Sequence, residues 1–270
     1  MSKSFLASLD VADCTFVVES LSSLQGPDMD RFRRIFLKYG FAIIQESPER
    51  QSVESLLSLK ALFGSVHGHD RATPDGIARI EFNADMKDYL GCSNAEHLPH
   101  TDGTFDPVPP RIVCLQCVRN AEEGGDSILL SGAAMLELLL AHGGKDLKPL
   151  FDDDALTVER KGKKFTGPVL SRRGGNYSIR FRSDSSATLH IKSSAVAGFE
   201  SMKRFVLNPH NQLRFRMQPG QTLVLDNAAV LHGRTAFKLP SARCLNRINF
   251  DGNTPFCQTL DLGFMPNGQS

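Results

Sequence analysis

The sequence lacks the features that usually mark nucleic-acid-binding, membrane and signal-directed secreted proteins. Its 31 basic and 30 acidic residues leave a formal net charge of +1, so no charge excess attracts nucleic acid or an anionic membrane. No apolar run reaches membrane-spanning length, and Ser, Lys and Asp interrupt residues 1–11, where a signal peptide needs an uninterrupted apolar stretch. We therefore expect a cytoplasmic protein whose partner is a small-molecule substrate, with no nucleic acid and no membrane as a ligand.

A compact disulfide framework is also missing. The six cysteines are scattered along 270 residues, unlike the dense cysteine pattern of small secreted domains. Cys114-x-x-Cys117 could suggest zinc binding or redox chemistry, but it lies in the apolar segment 112–118, and residues three apart in a strand face opposite sides. We predict buried free thiols there. A chain of this length that is 41% hydrophobic can form a single domain, residues 1–270, around one core.

The pattern of apolar residues predicts a mainly β protein with flanking helices. Apolar residues at helical spacing predict helices over 29–38, 53–63, 133–141 and 194–207. Short apolar runs between turn residues predict strands that include 41–44, 111–118, 176–181 and 212–216, and a buried strand within 217–227. Residues 143–184 are charged and glycine-rich, which predicts a lid or substrate-specificity insert.

His100 and Asp102 are the first half of a candidate metal site. Strand and turn residues flank them, so the two side chains lie two apart on one face of an extended segment. A second histidine, His232, follows the apolar run 228–231, which we expect to deliver it at the end of a strand. Two imidazoles and one carboxylate on one face of a metal leave three positions open, as a non-haem Fe(II) oxygenase requires.

Arg243 and Arg247 follow the second histidine and are four residues apart. On a strand they share a face, so both can point into the same interior. A guanidinium is a planar fork that matches a carboxylate in a bidentate way and remains charged at any working pH. This pair can therefore anchor an anionic ligand.

These motifs resemble the taurine dioxygenase branch of the Fe(II)/2-oxoglutarate-dependent oxygenases. The resemblance covers roughly residues 30–250, although 133–210 match only in outline. It implies a double-stranded β-helix, the jelly-roll architecture also found in cupins. The matching residues are His100-Thr101-Asp102-x-Thr104-Phe105, Pro109-Pro110, Gly124-Gly125-Asp126-Ser127, Ser131-Gly132, Asp226-Asn227, His232, Arg243 and Arg247.

The resemblance assigns a role to each residue of the site. It implies that His100, Asp102 and His232 bind Fe(II), with 2-oxoglutarate and O2 as co-substrates. Arg243 would bind the distal carboxylate of 2-oxoglutarate, assisted by Ser127, where the family more commonly has threonine. The remaining residues implied, all in the substrate pocket, are Arg247 and His69, which would contact an anionic group, and Glu96, whose carboxylate would suit a cation.

The function implied is a dioxygenase that oxidises an unactivated C–H bond, normally by hydroxylation, in a small anionic or zwitterionic metabolite such as an amino-acid derivative. Desaturation and ring closure use the same site and remain open. Two other functions also remain: a cupin-like metal-binding protein without oxygenase activity, and a peptide or protein hydroxylase with an open groove. The pair Arg243 and Ser127 argues against the first, because a carboxylate clamp beside a metal indicates an anionic co-substrate. His69 could equally be an ordinary histidine of a solvated loop.

Overall fold

The computed structural model describes residues 3–86, 89–141 and 144–266. The predicted fold class is confirmed: the chain is mainly β, and its helices flank the sheets. The strands are β1 (Thr15–Val17), β2 (Phe41–Gln45), β3 (Ala78–Glu81), β4 (His97–His100), β5 (Ile112–Arg119), β6 (Ser127–Ser131), β7 (Leu156–Arg160), β8 (Lys163–Gly167), β9 (Leu170–Arg173), β10 (Asn176–Ile179), β11 (Thr188–Ile191), β12 (Leu213–Phe215), β13 (Gln221–Asp226), β14 (Val230–Arg234) and β15 (Cys244–Phe250).

Two sheets form the jelly roll. A six-stranded sheet has the order β1-β2-β13-β5-β15-β3, and a four-stranded sheet has the order β12-β6-β14-β4. Strands β13 and β14 are consecutive in the chain but belong to different sheets, so the short turn between them connects the two. Apolar side chains from both sheets, such as Val113, Leu129, Leu225 and Leu231, are fully buried in one core.

Helices cover the sheets, and their sequences explain where they begin and end. The first helix has Pro27 in its first turn, buries Phe32, Ile35, Phe36 and Tyr39 on one face, and ends at Gly40 in the left-handed conformation. No helix within the described residues is both long and apolar enough to cross a membrane. The helices are α1 (Gly26–Tyr39), α2 (Val53–Leu57), α3 (Lys60–Phe63), α4 (Gly132–Ala141), α5 (Val196–Leu207) and α6 (Pro255–Gln258).

Two predicted features differ from the structure. The predicted helix 53–63 is two short helices, α2 and α3, because the hydroxyl of Ser58 donates to the backbone oxygen of Ser55 and the chain turns there. Asp102 was expected on the same extended segment as His100, but β4 ends at His100 and Asp102 lies in the following turn. His232 was expected at the end of a strand, and it lies among the last three residues of β14, which pairs with β4 and β6 on its two sides.

The charged segment 143–184 is folded into strands of its own. Its first residue, Gly143, lies outside the described residues. Strands β7 and β8 form a hairpin, residues 156–167, whose two-residue turn Lys161-Gly162 has positive φ at both positions, as a tight hairpin turn requires. β11, which follows the segment, pairs with β7, and β9 pairs with β10. All six cysteines are buried and free, so the prediction of buried thiols at Cys114 and Cys117 is confirmed.

Candidate metal centre

The pairing of β4 with β14 places His100 directly opposite His232. Their imidazole rings are 4.7 Å apart between centroids, and Asp102 follows in the turn after β4. The Oδ1 atom of Asp102 is 3.4 Å from Nε2 of His100 and 3.8 Å from Nε2 of His232. Gly233 permits this approach, because a Cβ there would lie 2.6 Å from the backbone oxygen of His97 on β4. One donor atom from each of the three side chains thus faces a common point.

Hydrogen bonds fix the orientation of His100 and Asp102, whereas the Nδ1 atom of His232 has no hydrogen-bond partner among the described residues. The Nδ1 atom of His100 lies 2.9 Å from the backbone oxygen of Leu98, to which it can donate, so its Nε2 is the nitrogen facing Asp102. Asn227 holds the backbone of Asp102 on both sides: its side-chain oxygen accepts from the Asp102 N–H at 2.8 Å, and its Nδ2 donates to the Asp102 carbonyl at 3.0 Å. Asn249 Nδ2 donates to Oδ2 of the carboxylate at 2.9 Å. Consequently Oδ2 is held by the protein and Oδ1 faces the imidazoles.

Protonation states favour metal binding. Burial lowers the pKa of His232 to about 3, with the neighbouring His100 acting in the same direction, so the ring of His232 is neutral at physiological pH. Burial by itself would raise the pKa of Asp102, but the positive charge of Arg247, followed by the neighbouring imidazoles, outweighs it and holds that pKa well below its ordinary value. A neutral imidazole and an ionised carboxylate are the forms in which these side chains bind a metal.

The residues present therefore fit a divalent metal. Donor atoms of His100, Asp102 and His232 all lie within 4.8 Å of one another, and all three residues are buried. Two imidazole nitrogens with one carboxylate oxygen form the donor set that Fe(II) oxygenases use. A second cluster, His97, His100 and Asp184, shares His100 with the first.

Arg243 lines the same cavity, where its guanidinium lies 5.7 Å from the centroid of the Phe237 ring but has no acidic partner among the described residues. Its side chain is buried, and no guanidinium nitrogen has a hydrogen-bond acceptor among the residues that the structure describes. Burial lowers the pKa of Arg243 to about 10, so it remains charged at neutral pH. Gly125, with φ of 75°, permits the packing, because its Cβ position would lie 3.2 Å from the Arg243 side chain. Ser127, at the start of β6, lines the same cavity. An unpaired cation beside a hydroxyl suits a carboxylate ligand.

Arg247 and His69 also line this cavity. Arg247 Nη1 lies 3.3 Å from Oδ2 of Asp102, on the side away from the imidazoles. His69 accepts a hydrogen bond at Nδ1 from the backbone N–H of Arg71, and burial, followed by the charge of Arg247, lowers its pKa to about 4. His69 is thus a neutral group whose Nε2 carries the proton and can donate.

Glu96 is not brought to the cavity. It is exposed and absent from the cavity lining, although it lies four residues before His100. The reason is local: β4 begins only at His97, and the guanidinium of Arg234 binds the backbone oxygens of Ser93 and Ala95, which holds this stretch in a bend. The expected contact between Glu96 and a substrate cation therefore has no support in this geometry.

The sequence did not predict a role in the site for several residues that lie near the centre. His97 stacks on His100 with ring centroids 4.1 Å apart, and burial lowers its pKa well below the ordinary value. Asn249 could have been found from the alternation of β15, because it lies two residues after Arg247 on the same face. Arg182, which is buried against Asp184, comes from the charged segment, where no sequence period indicates which side chains point inward.

Comparison with known proteins agrees with this geometry. The pattern of the family described as "Taurine catabolism dioxygenase TauD, TfdA family" matches residues 5–249. The chain belongs to this family. The resemblance drawn from the sequence motifs is therefore confirmed over nearly the whole chain, including the segment that matched only in outline.

Individual relatives are distant. The chain is 28% identical over 162 residues to a uridine-5'-phosphate dioxygenase of Amycolatopsis sp, covering 56% of this chain and 59% of that protein. It is 28% identical over 226 residues to the mitochondrial trimethyllysine dioxygenase of Rattus norvegicus, covering 77% and 52%. The chain thus spans less than two thirds of the length of either relative.

A solved structure shares the fold. The non-heme iron oxygenase OrfP, in complex with Fe, succinate and (3S)-hydroxy-L-Arg, superimposes with a TM-score of 0.67 at 16% identity, covering 86% of this chain and 83% of OrfP. At this identity the likeness establishes the jelly-roll fold.

Proposed function

We propose that this protein is an Fe(II)- and 2-oxoglutarate-dependent dioxygenase that oxidises an unactivated C–H bond, normally by hydroxylation. The observation that carries the proposal is the convergence, in one cavity, of the buried set His100, Asp102 and His232 with the unpaired guanidinium of Arg243. Three metal-binding side chains by themselves occur in many kinds of metalloprotein. Their position beside a cation that can bind a carboxylate indicates a metal enzyme with an anionic co-substrate.

Each residue has a role in this proposal. His100, Asp102 and His232 hold Fe(II), and Arg243 with the hydroxyl of Ser127 binds the distal carboxylate of 2-oxoglutarate. Bound Fe(II), 2-oxoglutarate and O2 supply the oxidising chemistry, which yields succinate and CO2. Asn227 and Asn249 orient Asp102, so that one carboxylate oxygen stays aimed at the metal position.

We propose a small molecule as the substrate because the β7–β8 hairpin acts as a lid. Lys163 on this hairpin lies 3.0 Å from Asp70 and 3.4 Å from Asp106, which belong to the loops before β3 and after β4 and also line the cavity. A cavity covered in this way favours a metabolite over a peptide segment, which would need an open groove.

The substrate carries an acidic group in this proposal. Arg247 supplies a positive charge and His69 a neutral N–H donor within the same cavity. Glu96 is exposed and offers nothing to a substrate cation, so we propose an anionic metabolite and not a zwitterion bound through Glu96. The relatives named above act, by their names, on a nucleotide and on a methylated amino acid, which is consistent with a small polar substrate.

An anaerobic titration with Fe(II) and 2-oxoglutarate tests the proposal directly. We expect a weak visible metal-to-ligand absorption band, and we expect Asp102→Ala to lose both this band and 2-oxoglutarate turnover while remaining folded by circular dichroism. The matched control is Asp154→Ala, which removes an exposed carboxylate far from the cavity in the fold and should leave the band unchanged. Absence of the band in the unaltered protein, or full succinate production by Asp102→Ala, would refute the proposal.

A further inference from the structure

Arg160 lies at the tip of the β7–β8 hairpin and lines the cavity from the lid side. Its guanidinium sits over two aromatic rings, 5.3 Å from the centroid of Tyr89 and 5.5 Å from that of Phe105. These contacts hold the side chain across the cavity mouth, but a ring offers no hydrogen-bond acceptor in the plane of the guanidinium. The five N–H donors of Arg160 are therefore available to a ligand.

Among the described residues no acidic side chain contacts Arg160, although the nearby charge of Asp184 acts to raise its pKa. Among the described residues Arg160 has neither a hydrogen-bond acceptor nor a salt-bridge partner, and burial, followed by the charge of Arg182, lowers its pKa. Of the neighbouring cations, Lys163 pairs with Asp70 and Asp106, and Arg182 pairs with Asp184. Arg71, whose guanidinium lies 4.7 Å from the centroid of the same Tyr89 ring, has no acidic partner among the described residues. Since a half-buried cation without a partner is unfavourable, the position indicates a ligand with negative charge.

Arg247 is another cation that lines this cavity. Its partner is Asp102, which under the proposed function also neutralises part of the charge of the metal. Arg247 then keeps most of its positive charge for the substrate. His69 adds a neutral N–H donor, because its Nδ1 accepts from a backbone N–H and its Nε2 carries the proton. Two guanidinium groups and one imidazole N–H thus line one part of the cavity.

We propose that Arg160, Arg247 and His69 bind a doubly charged, phosphate-type group of the substrate, and that Arg160 makes the protein prefer this dianion over a monoanionic group of the same shape. The inference rests on the proposed function, because it assigns the substrate class of that site. Arg160 is a specificity-determining residue, contributed by the lid.

Charge and shape give the physical reason. A phosphate monoester is close to doubly charged at neutral pH and has three terminal oxygens, which two planar forks and one N–H donor can satisfy together. A sulfate monoester has the same tetrahedral shape but a single charge. It would leave one of the two guanidiniums without a counter-charge in a covered cavity, which reduces affinity.

The test compares methyl phosphate, methylphosphonate and methyl sulfate at pH 7.5, by anaerobic calorimetric titration into the protein loaded with Fe(II) and 2-oxoglutarate. We expect methyl phosphate to bind at least about tenfold more tightly than methyl sulfate. Arg160→Gln should reduce this preference to less than about twofold, and Arg160→Lys should retain part of it because the charge remains. Methylphosphonate has a P–C bond in place of the ester oxygen. A comparison of its affinity with that of methyl phosphate therefore distinguishes a carbon-linked phosphonate from a phosphate ester as the natural group.

Lys164→Gln is the matched control. It removes one positive charge from the same hairpin, but Lys164 is exposed, pairs with Glu159 and lies outside the cavity lining, so the preference should be unchanged. The inference is overturned if the unaltered protein binds both monoesters equally, or if Arg160→Gln weakens both equally. Failure to take up 2-oxoglutarate at all would instead overturn the proposed function, which separates the two results.

Discussion

The two carboxylate oxygens of Asp102 have different neighbours in the candidate site. One carboxylate oxygen, Oδ2, accepts from Asn249 and lies beside Arg247, whereas Oδ1 faces the two imidazoles. Arg247 therefore touches the metal set as well as the substrate space, but Arg243 touches neither Asp102 nor any other hydrogen-bond acceptor among the described residues. The two arginines, although four residues apart, should give different phenotypes.

Replacing each arginine in turn separates co-substrate binding from substrate binding. Arg243→Ala should weaken 2-oxoglutarate binding by about 2–5 kcal/mol, because it removes one partner of a buried charged pair. Arg247→Ala should leave 2-oxoglutarate binding nearly intact and impair substrate-dependent turnover, with uncoupled formation of succinate persisting. Calorimetric titration of 2-oxoglutarate and assays of succinate with and without substrate distinguish the two.

Arg119→Ala serves as the control for these variants. Arg119 is also on the six-stranded sheet, at the end of β5, but its side chain is exposed and lies outside the cavity lining, so its loss should change neither quantity much. If Arg247→Ala raised the 2-oxoglutarate requirement and Arg243→Ala did not, the roles assigned to the two arginines would be reversed.

The buried histidines make the stability of the metal-free protein depend on pH. Burial lowers the pKa of His232 from 6.5 to about 3 in the folded state, so below about pH 6.5 the unfolded chain binds a proton that the folded protein does not. The contribution of neutral His232 to the free energy of unfolding is fully present above pH 6.5. It is lost as the pH falls towards 3, which lowers the free energy of unfolding by up to several kcal/mol. His97, whose pKa burial also lowers, acts in the same direction.

Urea unfolding of the metal-free protein between pH 7.5 and pH 4.5 measures this effect. His232→Gln should flatten the pH dependence, because glutamine does not titrate, whereas replacement of the exposed His210 by glutamine should leave the curve as it is. A His232→Gln protein with the full slope would show that the histidine is not the source of the pH dependence.

At the level of elements, the stretch after β10 holds the loop that follows the metal ligands. Arg180 donates to the backbone oxygens of Thr104 at 2.9 Å, Asp106 at 2.6 Å and Pro107 at 3.2 Å, while its guanidinium lies 3.8 Å from the ring centroid of Phe165 on β8. One side chain thus joins the loop 103–107 to the β7–β8 hairpin. We expect the order of the metal site to depend on this connection.

Arg180→Met tests that connection. Methionine keeps an unbranched side chain over Phe165 but removes the hydrogen bonds, so we expect a loss of about 2 kcal/mol in the free energy of unfolding. We also expect faster amide exchange in residues 103–107 and weaker Fe(II) binding. Hydrogen–deuterium exchange and metal titration measure these effects.

Arg214→Met is the comparison for Arg180→Met, because the exposed Arg214 donates only to Gln212 within the described residues. It should change neither the exchange in 103–107 nor metal binding. If Arg180→Met left both unchanged as well, the loop would not need this anchor.

At the scale of the whole molecule, a buried ion pair joins both ends of the described chain to the core. Lys3 Nζ lies 2.7 Å from Oδ2 of Asp226, both side chains are fully buried, and Lys3 also donates to the backbone oxygen of Asp261 at 2.8 Å. The N–H of Gly263 donates to the same Oδ2 at 2.8 Å. Asp226 ends β13, immediately before Asn227, which orients Asp102.

Lys3→Met should therefore destabilise the protein by about 3–5 kcal/mol, because it leaves the Asp226 carboxylate buried without its cation. The double replacement of Lys3 by methionine and Asp226 by leucine should recover part of this loss, since neither charge then remains buried. Urea unfolding of the single and double variants gives both values. A double variant no more stable than Lys3→Met would mean that the carboxylate matters mainly through its bond to Gly263.

The sequence by itself determined the fold class, the family and the candidate metal-binding motif. These depend on local rules: the spacing of His100 and Asp102 at the end of a strand marks the motif, and a helical period places Phe32, Ile35, Phe36 and Tyr39 on one face. Such patterns can be read from neighbouring residues. The same rules could have added Asn249, which shares the face of Arg247.

The tertiary structure decided which side chains reach the cavity. Arg160 and Arg182 come from a charged segment whose sequence has no period to mark an inward face, and only the packing of the β7–β8 hairpin brings Arg160 over Tyr89 and Phe105. Glu96 has the spacing of a substrate contact but is exposed, because Arg234 holds the bend before β4. Contacts between residues distant in the chain depend on the summed packing of the whole core, and no local pattern encodes that sum.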